Sequence, residues 1–140
     1  MKRRSLRGQI GSGVEKQIIV DDGLFTHGYK VVEFYVWAQD QASGNDPQCY
    51  LAKGSGAGLK FSAQDQRQIA WAGMTTTSGT RLTDFSIIDP NHIVVQDLYI
   101  KNIDALASGV ANYLIVIEPV NLSEQEGVLQ LIKERSQDDL

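Results

Sequence analysis

The sequence predicts an all-β protein, an antiparallel β-sandwich of jelly-roll-like form with a short C-terminal α-helix. Three observations carry this. Seven short apolar segments, rich in β-branched and aromatic residues, recur along the 140-residue chain with Gly, Asn, Asp and Pro clusters between them. Such spacing marks an antiparallel sandwich or barrel. No helical pattern of crossover length separates the segments, which argues against a parallel sheet. Helical periodicity appears once, near the end.

The first segment, "EKQIIV" (15–20), stops at the turn-prone Asp21, Asp22 and Gly23. "YKVVEFYVWA" (29–38) sets Val31, Glu33, Tyr35 and Trp37 on one face against Val32, Phe34 and Val36 on the other, the alternation of a half-buried strand. "QASGNDP" (41–47) is a loop by composition, "QCYLAK" (48–53) a strand, and "GSGAG" (54–58) a flexible connection. "RQIAWAGM" (67–74), "LTDFSII" (82–88), "HIVVQDLYI" (92–100) and "ANYLIVIEPV" (111–120) complete the set. The expected core is Val32, Phe34, Val36, Ile69, Trp71, Phe85, Ile87, Val94, Leu98, Leu114, Val116 and Val128.

The helix is placed at about 123–136. Ser123 and Glu126 have capping-box spacing, and Val128, Leu129, Leu131 and Ile132 form a stripe at helical period. Lys133 and Arg135 suit the C-terminal end of its dipole. A helix this short needs a surface on which to bury that stripe, the domain's own sheet or a neighbouring subunit.

Charge divides the chain. The first ten residues hold Lys2, Arg3, Arg4 and Arg7 and no acid, +4 against −4 for the whole, which leaves −8 on the rest. The expected organisation is a basic arm over 1–14, a sandwich over 15–120, and a helix and tail over 121–140. A basic arm on an acidic body can hold nucleic acid, an anionic membrane surface or an acidic neighbouring subunit. A solvated tail is the plainest alternative. Gly8, Gly11 and Gly13 would supply its hinge.

Several classes fall away. The single cysteine, Cys49, precludes an intramolecular disulfide, and its apolar neighbours suggest a small buried side chain. No apolar run reaches the length of a membrane span. The basic start leads into "SLRGQIGSGVEKQ" and not into an apolar stretch, so no secretory leader is expected. His27 and His92 both sit beside strand starts, where turn or edge roles are the commoner use. Asp84, Asp89, His92 and Asp97 lack the spacing of a metal motif. "GSGAGLK" lacks the frame of a phosphate-binding loop. Tyr35, Trp37 and Trp71 could form a stacking platform for single-stranded nucleic acid or sugar, but no basic residues interleave with them, which favours core or interface packing. The expectation is therefore a non-enzyme with no metal, cofactor or small-molecule substrate.

Six stretches taken in order, "SLRG", "VDDGLFTHGYKVVEF", "RQIAW", "IIDPNHIVVQDLYI", "NYLIVIE" and "LIKERSQDDL", resemble small, mostly uncharacterised proteins of marine bacteriophages. The likeness spans most of the chain, with "GSGAG" and "TTTSGT" in its variable loops. It implies a virion-associated structural protein, assembled in the host cytoplasm: a small capsid, vertex or capsid-cementing subunit. Its expected partners are copies of itself and other capsid proteins. Lys2, Arg3, Arg4 and Arg7 are the expected interaction residues, set against acidic surface of a neighbour. The competing expectation is a nucleic-acid-binding accessory protein that holds packaged genome with the same four charges.

Overall fold

The structure, a computed structural model, describes residues 3–20, 27–40, 46–77, 80–95, 97–104, 109–122, 129, 132 and 133. Its strands are β1 (Arg4–Gly11), β2 (Glu15–Ile19), β3 (His27–Ala38), β4 (Gln48–Ala52), β5 (Gln68–Thr77), β6 (Thr80–Ile88), β7 (Asp97–Asn102) and β8 (Val110–Asn121). They form two antiparallel sheets, one ordered β1-β8-β3 and the other β2-β7-β4-β5-β6. The all-β expectation holds. Within the proposed helix, Leu129, Ile132 and Lys133 have helical backbone, and Leu129 and Ile132 are exposed. The remainder of 123–140, Val128 included, lies outside the described residues.

One apolar core draws on both sheets. Ile10, Tyr29, Val31, Phe34, Val36, Tyr113, Ile115 and Ile117 come from the smaller, and Cys49, Leu51, Ile69, Ala70, Leu98 and Ile100 from the larger. The short β1–β2 link crosses from one sheet to the other. Ser12 N–H donates to Gly109 O (2.8 Å) and Gly13 N–H to Asn102 O (2.8 Å), while Ser12 Oγ–H donates to Asp104 O (2.6 Å). Gly13 has φ 73°, a left-handed conformation that glycine adopts without strain. Asn102, fully buried, donates from Nδ2 to Ile10 O and accepts Asp104 N–H at Oδ1.

Residues 4–11, expected within a basic arm, are built into the sheet as β1. They pair with β8 from Arg4↔Ile117 to Gly11↔Val110. Leu6 and Ile10 turn inward from this edge strand. Between them Gly8 leaves room for the Tyr113 ring; a Cβ there would stand 2.7 Å from Tyr113 Oη. Residues 92–95, expected in a strand, instead precede β7, and Val94 forms an isolated bridge with Tyr29.

Six core expectations are corrected. In β8 the inward set is Ala111, Tyr113, Ile115 and Ile117, so Leu114 and Val116 occupy the outer face, half-buried. In β3 the register shifts between Val31 and Glu33, which leaves Val32 half-buried and turns both Val31 and Phe34 inward. Phe85 and Ile87 of β6 are exposed (37% and 58%). Trp71 is only half-buried. Phe34, Val36, Ile69, Val94 and Leu98 are buried as expected.

Candidate interaction surface

The two sheets treat their outer faces differently. On the larger sheet, Glu15, Lys101, Tyr50, Trp71 and Ile87 lie in one cross-strand row. Segment 53–67, expected to begin as a flexible connection, folds back over part of that face. Gln68, 2% exposed, anchors it: Oε1 accepts Ser62 N–H (2.9 Å) and Trp71 Nε1–H (2.8 Å), and Nε2 donates to Lys60 O (2.9 Å). Tyr50 Oη–H donates to Gly58 O (2.6 Å), and Gly56 N–H to Glu15 Oε1 (3.0 Å). Arg67 and Asp65 form an ion pair at 2.9 Å, and the Arg67 hydrogen bond holds the Asp65 carboxyl below its usual range. Burial pushes the Tyr50 hydroxyl up to about 12.

On the smaller sheet the outer face is a three-by-three grid. Gln9–Asn112–Trp37 form one row, Arg7–Leu114–Tyr35 the next, and Ser5–Val116–Glu33 the third. Trp37 and Tyr35 are 39% and 45% exposed. Gln9 Nε2 donates to Asn112 Oδ1 (2.9 Å), and Tyr35 Oη–H donates to Glu33 Oε1 (3.3 Å). The adjacent Glu33 carboxylate raises the Tyr35 pKa. Trp37 borders two clefts. One, of about 420 Å³, is lined by Arg7, Gln9, Asn112 and Leu114 among others. The second, of about 390 Å³, opens between β3 and β6 and is lined by Tyr35, Met74, Asp84, Phe85 and Ser86. Ser86 Oγ–H donates to Phe34 O near that seam.

The four expected interaction residues part company. Lys2 lies outside the described residues. The Arg3 guanidinium stands 3.7 Å from Glu118 on β8, and the Arg4 guanidinium lies 5.5 Å from the Tyr29 ring centroid, within cation–π reach. Arg7 is exposed on the grid. Two of the four charges thus contact their own chain, and a third joins a surface whose aromatic members the charge pattern did not mark.

The remaining candidates are scattered. Cys49 is fully buried, and burial pushes its thiol up to about 12, where the nucleophilic thiolate is scarce at neutral pH. His92 Nε2 is 3.0 Å from Asp89 Oδ2 at the turn after β6. Burial, with Lys53 nearby, lowers the His92 pKa, and the Asn91 N–H bond lowers that of Asp89. Among the described residues no group of three or more His, Cys, Asp or Glu is placed to hold a metal ion, and no helix is long and apolar enough to cross a membrane. Comparison with protein-family models, curated proteins and solved structures finds no match to the chain.

Proposed function

We propose that this chain is a structural subunit of a bacteriophage particle: a small capsid, vertex or capsid-cementing protein that acts through symmetric contacts. The observation that carries the reading is the pattern of strand pairs. A jelly roll is a long antiparallel ribbon, pairing 1 with 8, 2 with 7, 3 with 6 and 4 with 5, wrapped into two sheets. Here β1 pairs β8, β2 pairs β7 and β4 pairs β5. The two sheet-internal neighbours of such a wrap, β8 with β3 and β7 with β4, are present as well. The departure is β6, which ladders with β5 and meets β3 through Ser86 without a ladder. Jelly rolls are a common architecture of viral capsid domains and of lectins, and the sequence resemblance favours the virion.

A helix over 123–136 belongs to the same proposal. Leu129 and Ile132 are 57% and 55% exposed, so a neighbouring subunit would bury these two residues of the stripe. The test is a mass-spectrometric inventory of purified particles with copy numbers, beside sedimentation of the isolated protein. Many copies per particle and salt-tolerant multimers are expected; absence from the particle ends this reading. DNA affinity falling with salt as roughly four phosphate contacts require would transfer the function to genome binding by the basic N-terminal residues.

A further inference from the structure

We propose that the grid on the smaller sheet is a saccharide-binding site centred on Trp37. The inference stands independently of where the protein resides. Trp37 and Tyr35 are two residues apart on one strand face, so their Cα atoms are roughly 7 Å apart along β3. Across the row, Gln9, Asn112 and Trp37 span about 10 Å, close to the length of a disaccharide. Sugar rings need what this surface offers: an aromatic face for their C–H groups, with hydrogen-bonding groups in the same plane for their hydroxyls.

The polar groups are arranged for that purpose. The Gln9–Asn112 bond fixes both amides and leaves Gln9 Oε1 as an acceptor and Asn112 Nδ2 as a donor beside Trp37. Arg7, one row along, adds further donors. Glu33 holds the Tyr35 hydroxyl, which orients that ring. Preordered amides and rings lose little side-chain entropy on binding.

Charge decides against a nucleic acid. A phosphate backbone laid along Trp37 would meet the carboxylates of Glu33 and Asp84, with Arg7 as the cation of the grid and Arg3 and Lys30, a row beyond Glu33, set beside Glu118. A hydroxyl-rich, uncharged ligand incurs no such repulsion. Trp71, by contrast, has its indole N–H committed to Gln68.

The experiment uses tryptophan emission of the full chain, which has two tryptophans. In Trp71→Phe protein only Trp37 emits, and soluble hexasaccharides of glucose, N-acetylglucosamine, mannose and galactose are titrated in, followed by an array of bacterial-surface glycans. At least one saccharide is expected to shift the emission saturably, and Trp37→Thr, whose binding of that saccharide is followed by titration calorimetry because it lacks the reporter, should bind about tenfold or more weakly. Asn112→Ala should weaken it several-fold with unfolding midpoints unchanged. The proposal is overturned if no saccharide moves Trp37 emission, or if Trp37→Thr binds as well as the parent. It is equally overturned if Trp37→Thr dissociates a multimer while saccharides have no effect, since the face would then be a contact between copies.

Discussion

Each sheet carries a tyrosine and a tryptophan on its outer face, and the two pairs meet opposite fates. Tyr50 is fully buried and Trp71 half-buried beneath segment 53–67, with the hydroxyl and the indole N–H bonded to Gly58 and Gln68. Tyr35 and Trp37 remain exposed. The chain thus contains the means to cover aromatic rings on a sheet, and applies it to one face only. Covered rings contribute to stability; bare ones contribute little to it and remain free for a ligand or a neighbour.

The largest expected effect lies in the cover. Gln68→Ala removes bonds to Ser62, Lys60 and Trp71 at once and leaves part-buried polar groups without these partners. It should destabilise the protein by about 2–4 kcal/mol in urea unfolding, with a red shift of Trp71 emission as the cover loosens. A loss near zero would mean that segment 53–67 merely lies on the sheet. Beneath the bare face, Gly8→Ala should cost about 1–3 kcal/mol, because the added Cβ meets the buried Tyr113 ring. Tyr113→Phe in the same chain should recover part of that loss. This variant separates the intolerant underside of β1 from its tolerant outer side.

A smaller effect depends on pH. The Asp65 carboxyl is held below its ordinary value of 3.8 by Arg67, so the pair stabilises the fold above about pH 4 and fades as acid protonates it. Asp65→Asn should cost about 1 kcal/mol at pH 7, and the difference from the parent should vanish in acid unfolding below that window. Smallest of all, Trp37→Thr should shift the unfolding free energy by about 0.5 kcal/mol or less. A loss as large as that of Gln68→Ala would erase the distinction between the two faces.

Much of the fold was legible in the sequence. Alternation located β3, and turn clusters separated most of the strands. Phase was harder to read. "NYLIVIE" is apolar at every position from 113 to 117, so Leu114 and Val116 seemed as eligible for the core as Tyr113, Ile115 and Ile117. The polar Asn112 and Glu118, both even-numbered, carry the signal that the even positions face outward. β1 was hidden because its start falls in the run of four cations over residues 2–7 and Gly8 interrupts the Leu6–Ile10 alternation; the glycine is there for Tyr113, which no local pattern reveals. In β6, Phe85 packs edge-on against Phe61, a residue 24 positions earlier, between the strands expected at 48–53 and 67–74. The Trp37 grid depends on three strands distant in sequence, so Tyr35, Trp37 and Arg7 could each be named beforehand but not brought together.

The pairing of β1 with β8 also governs when the chain can fold. Gln9 and Asn112 bond across 103 positions, and β3 reaches its own sheet only through β8 as well. Until β8 has been synthesised, β1 and β3 have no partner in their sheet, and Ile10, Phe34 and Val36 lack Ala111, Tyr113, Ile115 and Ile117 from their core. Long-range closure of this kind is slow, and it exposes unpaired edges in the interval. A ribosome-bound chain ending before residue 110 should therefore be protease-sensitive throughout both strands and acquire protection in a single step once β8 emerges.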